Sequence, residues 1–224
     1  MNKSELAAFI DHTTLGPDSS EEDVERVCRE ASEYSFASVC VEPIYVKMAK
    51  EQLKETEVKV DTVVGFPNGT HKQGAKGFEA QLAIEDGADE LDMVVNIPAL
   101  VRGDYEAVAR DISAVTEVAD ECPREVIVKV ILEMGLLDEE TKRAGCVIAQ
   151  ASGADFVKTS TGFGPTGAKV EDVKLMSDVV SDEVGVKAAG GIGDFESAMK
   201  MIEAGATRIG ASSGAEIVQG APEG

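Results

Sequence analysis

Three lysines stand where buried strands would be expected to carry apolar side chains. Lys129 lies in EVIVKVILE (residues 125–133), Lys158 in DFVKTS (155–160) and Lys187 in GVKAAG (185–190). Strand side chains alternate, so Lys129 shares a face with Ile127 and Ile131, and Lys158 with Phe156 and Ser160. One strand earlier, in ELDMVVN (90–96), Asp92 takes a similar place. A single such lysine could snorkel to solvent from a strand end. Four ionisable groups on four successive strands point instead to a site, because unpaired charges in a packed interior are costly.

The chemistry follows from the residue types. A second ammonium and partial desolvation both disfavour a lysine's charged form, which would leave a free amine able to attack a carbonyl. The resulting protonated imine withdraws electrons from the neighbouring carbon, and a carboxylate such as Asp92 can move protons by way of water. On this reading, Lys187→Leu impairs activation of the amine and leaves the fold intact. Glycine-rich segments follow the same strands: STGFGPTG after Lys158, AAGGIG after Lys187 and GASSG at 210–214. Glycines serve tight turns in any fold. Three such loops beside three lysines suggest a phosphate cradle of backbone N–H groups and hydroxyls.

Other residue types offer less. His12 and His71 are far apart and lack metal-ligand spacing, so no metal site is expected, and each reads as a surface or turn histidine. Cys40 reads as a small buried hydrophobe.

Elements must hold these residues at one end of a scaffold. Short apolar runs alternate with stretches of helical period, the pattern of repeated βα units. Eight strands are expected, over residues 10–15, 37–42, 58–66, 90–96, 125–133, 155–160, 185–190 and 207–212. Helices are expected over 20–34, 73–86, 104–121, 138–152, 170–181 and 194–204, with an amphipathic helix start at MNKSELAAF and another in GAEIVQ. The joints DGADELD, SGADFVK and AGATRIG repeat one helix-to-strand connection. A closed α/β barrel, a (β/α)8 TIM barrel with a short N-terminal helix, fits this best, and catalytic groups then gather at the C-terminal ends of its strands. The runner-up, an open doubly wound sheet, lacks a GxGxxG turn after its first strands.

Composition sets the wider limits. A chain of 224 residues with no composition break suits a single domain over 1–224. Forty-two acidic residues against twenty-one basic ones give a net charge of −21, which argues against nucleic-acid or anionic-membrane partners. That acidic skin fits either ordinary solubility or a salt-rich cytoplasm. Four scattered cysteines and no apolar run of membrane-spanning length point to a reducing, cytoplasmic setting.

The ordered motifs VGFPNG, ELDMVVNI, VKVILE, DFVKTSTGF, VKAAGGI and TRIGASSG, with DHTTL and VCVEP ahead of them, resemble the deoxyribose-phosphate aldolases, a class I aldolase family. The resemblance implies a barrel enzyme that reversibly cleaves 2-deoxy-D-ribose 5-phosphate into D-glyceraldehyde 3-phosphate and acetaldehyde, without a metal or organic cofactor. It implies Lys158 as the Schiff-base lysine, Asp92 as proton donor and acceptor, Lys187 as the second catalytic lysine and Lys129 as a supporting charge. Phosphate contacts would fall on Gly162, Gly190, Gly191, Ser212 and Ser213. A homodimer or homotetramer is implied, as is a role in deoxyribose catabolism. Two positions depart from the family: Gly193 and Phe163 stand where some members carry basic residues. Weaker discrimination against the unphosphorylated sugar is therefore expected. Another Schiff-base aldolase or transaldolase, or a non-catalytic phosphosugar-binding barrel, would share many of these features.

Overall fold

The computed structural model describes residues 1–223. Its strands are β1 (Ile10–Thr14), β2 (Ser38–Val41), β3 (Lys59–Val64), β4 (Glu90–Val94), β5 (Ile127–Ile131), β6 (Phe156–Lys158), β7 (Gly185–Ala189) and β8 (Arg208–Ala211). They form a closed barrel in sequence order, with β8 pairing back onto β1 through Ile10 and Ile209. Every pair is parallel. The TIM-barrel expectation therefore holds, and each expected strand is present.

Among the described residues, ten α-helices accompany the strands: α1 (Lys3–Ala7), α2 (Glu21–Tyr34), α3 (Val46–Leu53), α4 (Gln73–Asp86), α5 (Ile97–Val101), α6 (Tyr105–Asp120), α7 (Glu139–Ala151), α8 (Val170–Val179), α9 (Phe195–Glu203) and α10 (Gly214–Gln219). Their starts follow local chemistry. Asn2, Ser20 and Asp194 form capping boxes, while Asp104 and Asp138 accept from the third residue of their helices. Two helices lie outside the sequence expectation. α3 begins as a 3-10 turn at Pro43–Tyr45 and has no side-chain cap, and α5 carries Pro98 in its first turn directly after a strand. α5 does carry start signals, the Asn96 side chain accepting from the Ala99 amide and Pro98 in the first turn, but at five residues it is too short to show a helical period. No described helix is long and apolar enough to cross a membrane.

The main core lies between barrel and helices, built from Val, Ile, Leu and Ala as a chain without tryptophan must build it. Each fully buried Val, Leu or Ile contributes roughly 1.5–3 kcal/mol. Strand β2, SVCV, is buried at all four positions, as expected for a parallel sheet covered on both faces.

A buried ion pair pins one part of the shell. Lys76 of α4 donates to the Val94 carbonyl at the end of β4 and to Asp111 Oδ2 of α6, both at 2.7 Å. The same Asp111 oxygen accepts the Asn96 amide at 2.8 Å. Beside it, α4 and α6 approach so closely that a Cβ on Gly77 would lie 2.8 Å from the Ala114 carbonyl oxygen.

Candidate active site

Strand register brings the expected residues together. Asp92 of β4 lies beside Lys129 of β5, and Lys158 of β6 beside Lys187 of β7. All four side chains point into the barrel and meet. Asp92 Oδ2 accepts from Lys158 Nζ at 2.5 Å and from Lys187 Nζ at 2.6 Å, while its Oδ1 accepts from Lys129 Nζ at 2.8 Å. One carboxylate thus gathers three lysine side-chain nitrogens from three strands.

Four further charged residues, not singled out by the sequence reading, complete the cluster. Lys187 Nζ also contacts Asp11 Oδ2 at 2.6 Å and Asp61 Oδ2 at 2.9 Å. Lys129 Nζ contacts Glu90 Oε2 at 2.7 Å and Asp61 Oδ2 at 3.0 Å. Below them, Arg208 of β8 joins Asp11 at 2.7 Å to Glu90 at 2.9 Å, with its guanidinium over the Phe156 ring. Alternation was the available signal, since Glu90 stands two residues before Asp92 and Asp61 occupies the centre of a strand.

The electrostatics differ from the expected mutual repulsion of lysines. Burial works to lower the Lys187 pKa, but the carboxylates of Asp11, Asp61 and Asp92 override it and hold the ammonium well above its usual range. For Lys129, burial is likewise outweighed, here by Asp61, Asp92 and Glu90, so its pKa also rises. A pKa lowered by a neighbouring ammonium therefore describes neither Lys187 nor Lys129. Asp92 is buried, yet Lys129, Lys158 and Lys187 hold it well below the ordinary carboxylate range. Asp61 moves the other way. Burial, reinforced by Asp92, outweighs its lysine partners and raises it to about 6.

Two groups of buried side chains with possible ligand atoms, Cys40–Asp61–Asp92 and Asp11–Asp61–Glu90, have the spacing to hold a cation. Their carboxylates already carry ammonium or guanidinium partners, which fits an internal salt-bridge network better than a metal site.

Lys158 differs from its neighbours in access. It lines a cavity of about 720 Å³ at the C-terminal end of the barrel, whereas Lys129 and Lys187 lie beneath it. The expected phosphate residues, Gly162, Gly190, Gly191, Ser212 and Ser213, line the same cavity. Gly190 has φ +93°, and a Cβ there would lie 3.0 Å from the Gly167 Cα, so glycine lets two loops close over one another. The loop bearing Gly162 is fixed by Glu133, whose carboxylate accepts from the Thr161 amide at 3.1 Å and the Thr161 hydroxyl at 2.5 Å. Glu133 itself is buried and has φ +57°. Phe163 and Gly193 also line the cavity and supply no charge, but Arg26 of α2 does, together with Asp18 and Asp23.

The remaining candidates separate. His71 is exposed. His12 is a correction to the expected surface histidine: it is 1% exposed on β1, with Nε2 at 2.5 Å from Glu30 of α2. Alternation sends Asp11 into the barrel and His12 out beneath the helix. Cys40 is buried with Leu15 and Val63, as a small hydrophobe would be.

Comparison with known proteins agrees with this geometry. Residues 6–220 match the DeoC/LacD family aldolase model. The chain is 56% identical to a deoxyribose-phosphate aldolase of Thermococcus kodakarensis, with 100% of each chain covered. A putative deoxyribose-phosphate aldolase from Coccidioides immitis superposes with a TM-score of 0.93 at 44% identity, covering 98% of this chain and 86% of that one. A deoxyribose phosphate aldolase from Aeropyrum pernix, described as having a unique tetrameric structure, gives a TM-score of 0.91 at 36% identity, covering 97% and 91%. With its cavity, its buried lysines and its matched length, this chain belongs to the DeoC/LacD family of aldolases.

Proposed function

We propose that this chain reversibly cleaves 2-deoxy-D-ribose 5-phosphate into D-glyceraldehyde 3-phosphate and acetaldehyde, through a Schiff base on Lys158. The carrying observation is that Lys158, alone among the three barrel lysines, lines the open cavity while its amine touches Asp92. Relatives at more than half identity over the full chain bear the name of this activity.

The neutral Lys158 amine adds to the C1 aldehyde, and loss of water gives a protonated imine. A base then takes the C3 hydroxyl proton, the C2–C3 bond breaks, and its electron pair forms an enamine while glyceraldehyde 3-phosphate departs. Protonation at C2 and hydrolysis of the imine release acetaldehyde and restore the amine. Asp92, acting through water, is the group positioned to pass these protons. Lys187 stays an ammonium beside the reacting nitrogen and places fixed positive charge on Asp92. Lys129 does the same from the other oxygen, without reaching the cavity. Backbone and hydroxyl groups at Gly162, Gly190, Gly191, Ser212 and Ser213 receive the phosphate.

The reading includes one catalytic domain and assembly into a homo-oligomer, the latter supported by the tetrameric relative. Four cysteines without disulfide partners favour a reducing cytoplasm.

Borohydride reduction in the presence of acetaldehyde tests the mechanism. Mass mapping is expected to find a reduced ethyl adduct on Lys158, and Lys158→Met is expected to lose both adduct and turnover. An adduct confined to another lysine, or none at all, would falsify the Schiff-base assignment.

A further inference from the structure

The phosphate cradle is short of side-chain charge. Phe163 and Gly193 contribute none, and Lys158 is committed to the carbonyl carbon. The wall also contains two carboxylates, Asp18 and Asp23. Asp23 is kept ionised by the Ser20 amide and hydroxyl at the start of α2, so its pKa falls. A phosphate dianion entering this cavity meets negative charge on that side. The other cation among the lining residues is Arg26.

Its position is fixed by a chain of contacts. Arg26 Nη1 donates to Glu30 Oε2 at 3.2 Å, one helical turn along α2, and that same oxygen meets His12 Nε2 at 2.5 Å. The buried His12 ring abuts Gly214, where a Cβ would come 2.8 Å from Nδ1. Gly214 directly follows Ser213. Contacts through Glu30 and His12 therefore tie α2 to the segment carrying Ser212 and Ser213. Arg26 stands one turn nearer the barrel mouth, because α2 follows β1 and starts at that end. Its second nitrogen, Nη2, lies only loosely against Asp23 at 3.8 Å. A guanidinium with one firm partner keeps several N–H donors for a phosphate, in the fork geometry that suits paired oxygens.

We propose that Arg26 is the phosphate-specificity residue of this cavity, supplying from α2 the cation that the loops after β6 and β7 lack. This rests on the aldolase reading for the identity of the substrate, while the anion site itself is testable without turnover. Discrimination against the unphosphorylated sugar is then set by α2 and not by the glycine loops alone.

Two measurements decide it. In steady-state kinetics, Arg26→Gln is expected to lower kcat/KM for 2-deoxyribose 5-phosphate about tenfold, largely through KM, a change of about 1.4 kcal/mol. Turnover of unphosphorylated 2-deoxyribose is expected to stay unchanged. Arg26→Lys, which keeps the charge and loses the fork, is expected to fall between. In calorimetric titration with inorganic phosphate, Arg26→Gln is expected to weaken binding by a similar factor. An equal loss on both sugars, unaltered phosphate affinity, or no phosphate binding by the wild-type protein overturns the proposal. Failure of the wild-type protein to turn over either sugar sinks the aldolase reading instead, and the phosphate titration still decides the role of Arg26. Should Arg26→Gln unfold through loss of the Glu30 contact, Arg26→Lys decides in both assays.

Discussion

Lys187 shows how far a single residue's role depends on its company. Its ammonium touches three buried carboxylates, so Lys187→Leu strands Asp11, Asp61 and Asp92 with one cation fewer. Breaking a buried charge network from one side typically costs about 3–5 kcal/mol. The expectation from sequence, an intact fold with an impaired amine, is therefore revised. Lys187→Leu is expected to lower the urea midpoint as well as abolish turnover, and an unchanged midpoint would show that the network relaxes around the loss. The sequence made Lys129, Lys158, Lys187 and Asp92 legible because each interrupts an apolar alternation. It did not reveal that Asp92 binds all three amines, nor that Asp11, Asp61, Glu90 and Arg208 answer their charges. Glu90 and Asp61 lie on the same strand as Asp92 and on its neighbour, but Asp11 and Arg208 come from opposite ends of the chain, and only closure of the barrel brings them to the cluster.

Between residue and molecule stand the joints of single elements. The pair Lys76–Asp111 holds α4 and α6 against the end of β4, and with it the strand that carries Asp92. Burial lowers the Lys76 pKa and raises that of Asp111, each against the pull of the other. Lys76→Met alone is expected to destabilise the protein by about 3–5 kcal/mol, and Lys76→Met with Asp111→Leu to recover most of that. Chemical denaturation of the two variants checks both figures, and equal losses would mean that packing matters more than charge here. Strand and helix order was readable from periodicity and caps. Strand ends were not: those expected at residues 66, 96, 133 and 160 fall at Val64, Val94, Ile131 and Lys158. Side-chain alternation continues beyond the last paired residue, where the chain leaves the ladder to form the site. α3 and α5 span only eight and five residues, too short for a helical period to stand out.

At the scale of the molecule, the charge of −21 lies outside a barrel whose interior has four acids and four bases in mutual contact. Repulsion is thus concentrated on the surface, where salt reaches it. Raising KCl from about 0.1 M to about 1 M shortens the screening length from roughly 10 Å to 3 Å. The melting temperature is expected to rise, by about 2–4 °C for each kcal/mol relieved. A flat or falling calorimetric profile would mean that the acidic skin carries no such load. The barrel's seam has a different consequence. Asp11 belongs to β1, while Arg208, which reaches it and Glu90, belongs to β8, and the two strands pair directly. On the ribosome these partners are separated by nearly the whole of translation. A nascent chain carries its carboxylates in wait of a guanidinium not yet synthesised, so stalled chains that end before β8 should remain protease-sensitive however many βα units have emerged.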